Sequence, residues 1–283
     1  MEKQLILSID QSHICGQEED FFLAFAKDCE KEGFYIAKET EATVGERHGL
    51  FCIAICDSQE AVDVFLNKKI PVVAYEYDDK IRLNNAYIIQ SFEGVDTAYL
   101  TKVHHRFFGL PLQIMETKRT LIREFSMEDL DALFHLYEGP HVTDYMEPLY
   151  SYEEEKAYEE KYIKNVYGLH DYGMWLVVDK ASGEIMGRAG IETRGGISGV
   201  NKDCFEDDRS DGDTVELGYL IREDFQKKGY ATEVCQAIVD YAFSELGKKR
   251  IYAQVDEKNE ISKKLLKKLG FEYKGAELFE IIH

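Results

Sequence analysis

From residue 3 to residue 110, short apolar runs alternate with stretches whose apolar residues recur at helical spacing. This alternation predicts strands joined by crossover helices. Strands are expected at 4–9, 50–56, 72–77 and 86–91. Phe21, Phe22, Phe25, Ala26 and Cys29 give a helix over 19–32 its apolar face. Two more helices are expected at 59–68 and 97–108, the first capped by Asp57 and Ser58. The run 50–56 is apolar throughout, as in a strand covered on both faces. The prediction for this half is a small, mostly parallel α/β sheet of the Rossmann-like, doubly wound kind.

Gly109-Leu110-Pro111 stops the last of these helices, and the segment to Glu116 reads as a connection. Two domains are therefore expected, 1–112 and 117–283, with the boundary near 115. In the second half, 119–123 is strand-like. Ser126-Met127-Glu128-Asp129 resembles a capping box, with Leu130, Leu133, Phe134 and Tyr137 behind it at helical spacing. Ser151 caps a charged helix running to 167, and strands at 174–179 and 184–193 form a hairpin across Lys180-Ala181-Ser182-Gly183. A strand at 215–222, a turn, and a long helix from 229 to about 246 follow.

Composition narrows the function. The 283 residues carry 54 acidic against 34 basic side chains, a formal charge of -20, and both halves are acidic. Such a chain repels phosphate backbones, so nucleic acid and anionic membranes are excluded as expected partners, and a neutral or cationic substrate fits better. The apolar run after the first residues is too short for a signal peptide, and no stretch approaches the roughly 18 apolar residues of a membrane span. A cytoplasmic protein is expected. Six cysteines without a CxxC pair read as buried free thiols. No ligand spacing points to a metal, and nothing fixes the oligomeric state.

Open parallel sheets bind ligands at the carboxyl ends of their strands, which directs attention to Asp10, Asp57 and Ser58. Asp10-Gln11-Ser12 lacks the second aspartate of a haloacid-dehalogenase-type phosphatase, and cap or turn duty is the competing reading. His104 and His105 face different directions around their helix, as expected of a solvated helix end.

The turn Gln226-Lys227-Lys228-Gly229-Tyr230-Ala231 carries the strongest signal. An apolar strand, Leu217-Gly218-Tyr219-Leu220-Ile221, runs into it and a helix leaves it. Backbone N–H groups at a helix start, with its positive dipole end, suit a pyrophosphate. Gly229 permits close approach, Ala231 leaves room, and Lys227 and Lys228 add positive charge in an acidic protein.

This strand, turn and helix resemble the acyl-CoA pyrophosphate loop of the GNAT superfamily of N-acyltransferases. The resemblance spans 117–283. It is carried also by the strand Arg250-Ile251-Tyr252-Ala253-Gln254-Val255, by Asn259-Glu260-Ile261-Ser262, and by Leu265 through Glu272 with the closing Gly270-Phe271. Thr120 through Phe125 and Glu216-Leu217-Gly218-Tyr219 resemble the branch that acetylates ribosomal-protein N-termini.

The resemblance implies a mixed central sheet with flanking helices and acetyl-CoA as cosubstrate. Its pantetheine would lie between the strand ending at Leu220 and Ile221 and the strand 251–255. The cofactor-binding set is then Leu220, Ile221, Gln226, Lys227, Lys228, Gly229, Tyr230, Ala231, Asn259 and Ser262. Asn259 also reads as a helix cap, and Ser262 as a cofactor contact, a proton donor to the leaving thiolate, or a surface serine. Glu216 is the expected base, with an exposed strand-start glutamate as the alternative. Backbone N–H groups at a strand bulge would stabilise the oxyanion. Many members place a tyrosine acid four residues before the closing glycine; Leu266 stands there instead. Tyr145 and Tyr219 are expected at the acceptor, which would be a small-molecule amine or a protein N-terminus. The acidic segment Asp203 to Asp213 fails as a calcium loop, because Arg209 occupies a ligand position, and reads as a solvated hairpin or a lure for cationic amines. The alternative to an N-acetyltransferase is an acyl-CoA-binding sensor without turnover.

Overall fold

The structure, a computed structural model, describes residues 3–38, 51–139, 142–193 and 212–283. Position 50 of the first expected central strand, His141 and positions 203–211 of the acidic segment lie outside the described residues. The chain divides into two compact units, Met1–Leu110 and Pro111–His283.

In the first unit, strands β1 (Lys3–Ser8), β2 (Phe34–Lys38), β3 (Phe51–Cys56), β4 (Val72–Tyr75) and β5 (Tyr87–Ile89) pair in the order β2-β1-β3-β4-β5. All four pairings are parallel. Helices α1 (Gln17–Lys31), α2 (Gln59–Asn67) and α3 (Thr97–Phe108) cover it. One apolar cluster joins Phe25, Phe92, Leu100 and Val103 to Leu5, Ile53 and Ile55. A second joins Val62 and Phe65 to Ile6, Ala54 and Ala74. Neighbouring strand residues thus pack to opposite faces, as in a doubly wound sheet.

The sequence reading missed β2, whose Phe-Tyr-Ile-Ala run is short and follows its helix without a Pro or Asn signal. Ser58 and Asp96 cap α2 and α3 through Ala61 and Tyr99 N–H groups, and Gly109 closes α3 in the left-handed region. Asp57 Oδ2 accepts from the Asp10 N–H and lies 2.7 Å from His13 Nδ1, while Asp10 Oδ1 accepts from Ser12 N and Oγ. These carboxylates are therefore engaged in holding the loop after β1. Among the thiols, Cys29, Cys56 and Cys235 are buried, whereas Cys15 is exposed, contrary to the expectation for it.

His104 also departs from expectation. It is 8% exposed, stacks on Phe51 with ring centroids 4.0 Å apart, and its Nδ1 has no hydrogen-bond partner. Helical rotation turns it to the sheet while His105 stays half-exposed. Burial, with His105 beside it, pushes its pKa down to about 4. The unfolded chain takes up this proton near pH 6.5, so the neutral ring contributes stability that is full above 6.5 and is lost as pH falls toward 4. Melting curves of the full chain at pH 7.5 and 4.5 are expected to show the parent losing on the order of 2 kcal/mol more than His104→Leu over that interval. Equal losses would show that His104 is protonated in the folded state.

The second unit contains β6 (Gln113–Glu116), β7 (Thr120–Arg123), α4 (Leu130–Tyr137), α5 (Tyr152–Tyr162), α6 (Gly168–His170), β8 (Met174–Asp179) and β9 (Ile185–Thr193). It continues with β10 (Thr214–Ile221), α7 (Tyr230–Ser244), β11 (Arg250–Gln254), α8 (Glu260–Lys268), β12 (Glu272–Gly275) and β13 (Leu278–Ile282). The sheet order is β12-β13-β11-β10-β9-β8-β7-β6. Every pairing is antiparallel except β10 with β11. Capping boxes at Ser126/Asp129 and Ser151/Glu154 start the two helical segments as their sequence suggests. The expected connector at 113–116 is instead an edge strand paired with β7.

Strand alternation sends two sets of β10 side chains to opposite faces. Tyr219 lies toward Cys235 of α7, while Leu220 packs on Leu136 of α4 and Val142. Arg188, opposite Leu220 on β9, meets Glu159 of α5. The sheet is thus a mixed layer between α7 on one face and α4 and α5 on the other.

Candidate active site

The site starts from a mismatch in the sheet. β10 pairs with β9 without interruption from Val215↔Thr193 to Ile221↔Gly187, but with β11 only at Thr214↔Arg250, Val215↔Ile251 and Glu216↔Tyr252. Past Glu216 the two parallel strands separate, and residues 217–221 turn an edge toward the opening without a strand on it among the described residues. The unbroken β9 register also means that β10 carries no bulge, so the bulge expected for an oxyanion is absent. The open edge itself presents the N–H groups.

Beyond Ile221 the chain turns through a short 3-10 segment, Glu223–Phe225, into Gln226 and the loop. Gln226 Nε2 donates to the Ile221 carbonyl at 2.8 Å, bracing the loop against the strand end. Lys227 (φ 59°) and Gly229 (φ 83°) are both left-handed. These reversals aim the chain at the start of α7, whose N-cap, Gly229, makes no side-chain cap hydrogen bond. The first N–H groups of α7 are thereby left to a ligand. Lys227 and Lys228 are exposed beside them.

Four residues that sequence reasoning missed, Arg119, Thr117, Glu233 and Asp179, hold this loop. Arg119 donates from Nη1 to the Lys228 carbonyl at 3.0 Å and from Nε to Glu233 at 2.7 Å, and its guanidinium lies 3.9 Å over the Tyr230 ring. Thr117 Oγ1 donates to Glu233 at 2.7 Å. Tyr230 hydroxyl reaches Asp179 at 3.2 Å. Glu233 lies one turn into α7, where a carboxylate would oppose a bound phosphate; Arg119 neutralises it. More than a hundred residues separate Arg119 and Thr117 from Lys228 and Glu233, and no local spacing reports the contact.

Glu216 is 5% exposed and third in β10, not an exposed strand-start residue. Its Oε2 lies 3.3 Å from the Tyr252 hydroxyl. It faces the α4 and α5 side, where Glu192, Glu159 and Glu155 are also buried. Burial pushes the Glu159 carboxyl above the usual carboxylate range, Arg188 working against it.

On the other face, Asn259 accepts from Ser262 N at 3.0 Å and so caps α8. Its side-chain nitrogen is not engaged by the cap. Tyr219 extends toward Ser262, and burial pushes its phenol pKa up. Tyr219 and Glu216 therefore sit on opposite sides of the sheet, so one acceptor group cannot lie against both side chains. Leu266 is fully buried in the core, in agreement with its apolar chemistry. Tyr145 is 48% exposed, beside Met146, which packs with Val142 near Leu220. Among the described residues, no group of three or more His, Cys, Asp or Glu side chains could hold a metal, and no helix is long and apolar enough to cross a membrane.

Comparison with known proteins bears on this arrangement. The profile of the acetyltransferase (GNAT) domain matches residues 119–272. The uncharacterized N-acetyltransferase YoaA of Bacillus subtilis (strain 168) is 30% identical over 168 residues, 58% of this chain and 85% of that relative. The uncharacterized N-acetyltransferase p20 of Bacillus licheniformis is 27% identical over 165 residues, again 58% and 85%. Among solved structures, the spermidine N-acetyltransferase of Vibrio cholerae in complex with CoA and spermine aligns with a TM-score of 0.46 and 20% identity. That alignment covers 58% of this chain and 95% of that one.

Proposed function

The chain belongs to the GNAT acetyltransferase family, and from that membership we propose that its second unit transfers an acetyl group from acetyl-CoA to a primary amine. The observation that carries the proposal is the continuous path from the open β10 edge, past Ile221, to the uncapped start of α7. An elongated amide-bearing molecule can add to such an edge as a strand does, and a pyrophosphate can end on such a helix start. Residues 226–231 would hold the phosphates, Leu220 and Ile221 the pantetheine through their backbone, and Asn259 and Ser262 its far side. Bound acetyl-CoA supplies the thioester.

The chain's own part concerns protons. An ammonium has no lone pair, so the acceptor must lose a proton before or during attack. Glu216 takes it in this reading, from a buried position at the point where the strands part. Among the described residues, four buried carboxylates, Glu155, Glu159, Glu192 and Glu216, against one buried arginine on that face favour a cationic acceptor. Small-molecule amines and protein N-termini share this chemistry. Ser262 is the proton donor to the departing thiolate, at the place where Leu266 offers none.

The full chain with acetyl-CoA and a panel of primary amines, polyamines and N-terminal peptides is expected to release free CoA in proportion to acetylated product, read by a thiol reagent and mass spectrometry. Tight acetyl-CoA binding without CoA release over the whole panel would replace the transferase with a binding sensor.

A further inference from the structure

The buried face under α5 carries a second carboxylate that the proposed reaction leaves unassigned. Glu192 of β9 stands directly opposite Glu216 of β10, and each is 5% exposed. Side chains directly opposed on antiparallel strands have Cβ atoms about 4.5–5.5 Å apart, so the two carboxyl groups occupy one enclosed space. A hydroxyl bounds each end of the pair. Tyr252 of β11, opposite Glu216 on its other side, lies 3.3 Å from Oε2. Tyr162 of α5 donates its hydroxyl to Glu192 and accepts the Met174 N–H at 2.7 Å. The result is a row, Tyr252, Glu216, Glu192, Tyr162, running across three strands to a helix.

Among the described residues, the charged and titratable groups around this row are Arg188 on β9, Glu155, Glu159 and Tyr158 on α5, Tyr137 on α4, Tyr167 against Tyr162, and Glu280 of β13 opposite Tyr252. Arg188 is ion-paired with Glu159, Nη1 to Oε1 2.7 Å. Among the described residues, this one buried cation faces three or more buried carboxylates. Two carboxylates confined side by side do not both ionise readily, and they titrate as a unit.

We infer that Glu192 and Glu216 take up the acceptor's proton as a pair, sharing it between them, and that Glu192 thereby sets the proton affinity of the base. Burial raises the Glu192 carboxyl above the usual range, and the Glu216 charge adds to this, against the Tyr162 hydroxyl and Arg188. The inference rests on Glu216 being the base. Glu192 is a positioning residue: it touches no reacting atom and acts through Glu216. When an ammonium acceptor gives up its proton, the pair passes from charge minus two to minus one and the amine keeps the electron pair.

Full-length protein labelled with 13C at the glutamate carboxyl carbon tests this without any acceptor. Glu216 and Glu192 signals are assigned by their disappearance in Glu216→Gln and Glu192→Gln. In the parent, both are expected to move in two shared steps; in Glu192→Gln, Glu216 moves in a single step with its midpoint at least about one pH unit below the parent's upper step. Tyr162→Phe removes the donor to Glu192 and shifts the upper step upward, which keeps the test available if Glu192→Gln does not fold. A Glu216 titration that is the same in the parent and in Glu192→Gln overturns the inference. The Glu216→Gln activity separates this from the reading beneath it: lost acetyl transfer with uncoupled titration removes only the shared proton. Full activity with coupled titration removes the base from Glu216 instead.

Discussion

Replacing Glu216 with Gln is expected to slow the chemical step by about two to four orders of magnitude and leave acetyl-CoA affinity nearly unchanged. The amide matches the carboxylate in size, so the Tyr252 contact and the β10 register persist. It accepts no proton, and loss of a positioned base has that magnitude. The cofactor path lies at the loop and the open edge, whose groups the substitution does not touch. In the parent, the rate falls as pH drops through the titration of the base, because only the ionised carboxylate receives the ammonium proton. In the variant this acidic limb vanishes. Single-turnover measurements at saturating acetyl-CoA across pH, with an amine that releases CoA, decide the matter. Rates within a few-fold of the parent throughout would show that Glu216 is a buried structural carboxylate and that water carries the proton.

The second large effect is expected at Gly229. Its φ of 83° lies where a β-branched residue is strained by about 1–2 kcal/mol or more. Crowding is not the reason: an added Cβ would stand 3.6 Å from Arg119 Nη2, an ordinary contact. Valine is therefore expected to pull the turn toward negative φ, redirecting the N–H groups at the start of α7 and placing methyl groups where the phosphates approach. Acetyl-CoA affinity should fall at least about a hundredfold by calorimetry, since several N–H contacts are lost together and each tenfold is about 1.4 kcal/mol. Far-UV spectra should match the parent, because α7 begins after this residue. Unchanged affinity would move the pyrophosphate away from this loop.

The order of elements in the second unit was legible because its helices announce themselves. Ser126 and Ser151 with acids three residues on, the apolar spacing after Met127, and the glycine before Tyr230 are local signals, and the structure follows them. Family membership was legible for the same reason, the loop being one contiguous run. Some of the short strands were not, although β4, β5 and β7, of four residues or fewer, were. β2, β12 and β13 each have five residues or fewer, and their place in a sheet is decided by partners distant in sequence. β6 was hidden by the Pro111 break just before it. The site shows the same division. Residues 226–231 and Glu216 could be picked out, but the ring of Arg119, Thr117 and Glu233 around the loop, and the opposition of Glu192 to Glu216, depend on the folded register. His104 was misjudged because two adjacent histidines look alike in sequence, and only the helix rotation separates a core ring from a surface one.

The short β10/β11 ladder also determines what kind of force holds the sheet together there. Three rungs join β11, β12 and β13 to the remaining strands, whereas β10 and β9 share seven. Backbone hydrogen bonding therefore contributes little across this line. Cohesion falls to Ile251, Ala253, Leu266, Leu269, Phe271 and Phe279, which share one core with Val215, Leu217, Val234 and Ile238 on the other side. Apolar burial weakens on cooling, in contrast to a hydrogen-bonded ladder. The line along which the strands part is thus a seam whose grip rests more on apolar burial, and so depends more on temperature, than the longer ladder of β10 with β9.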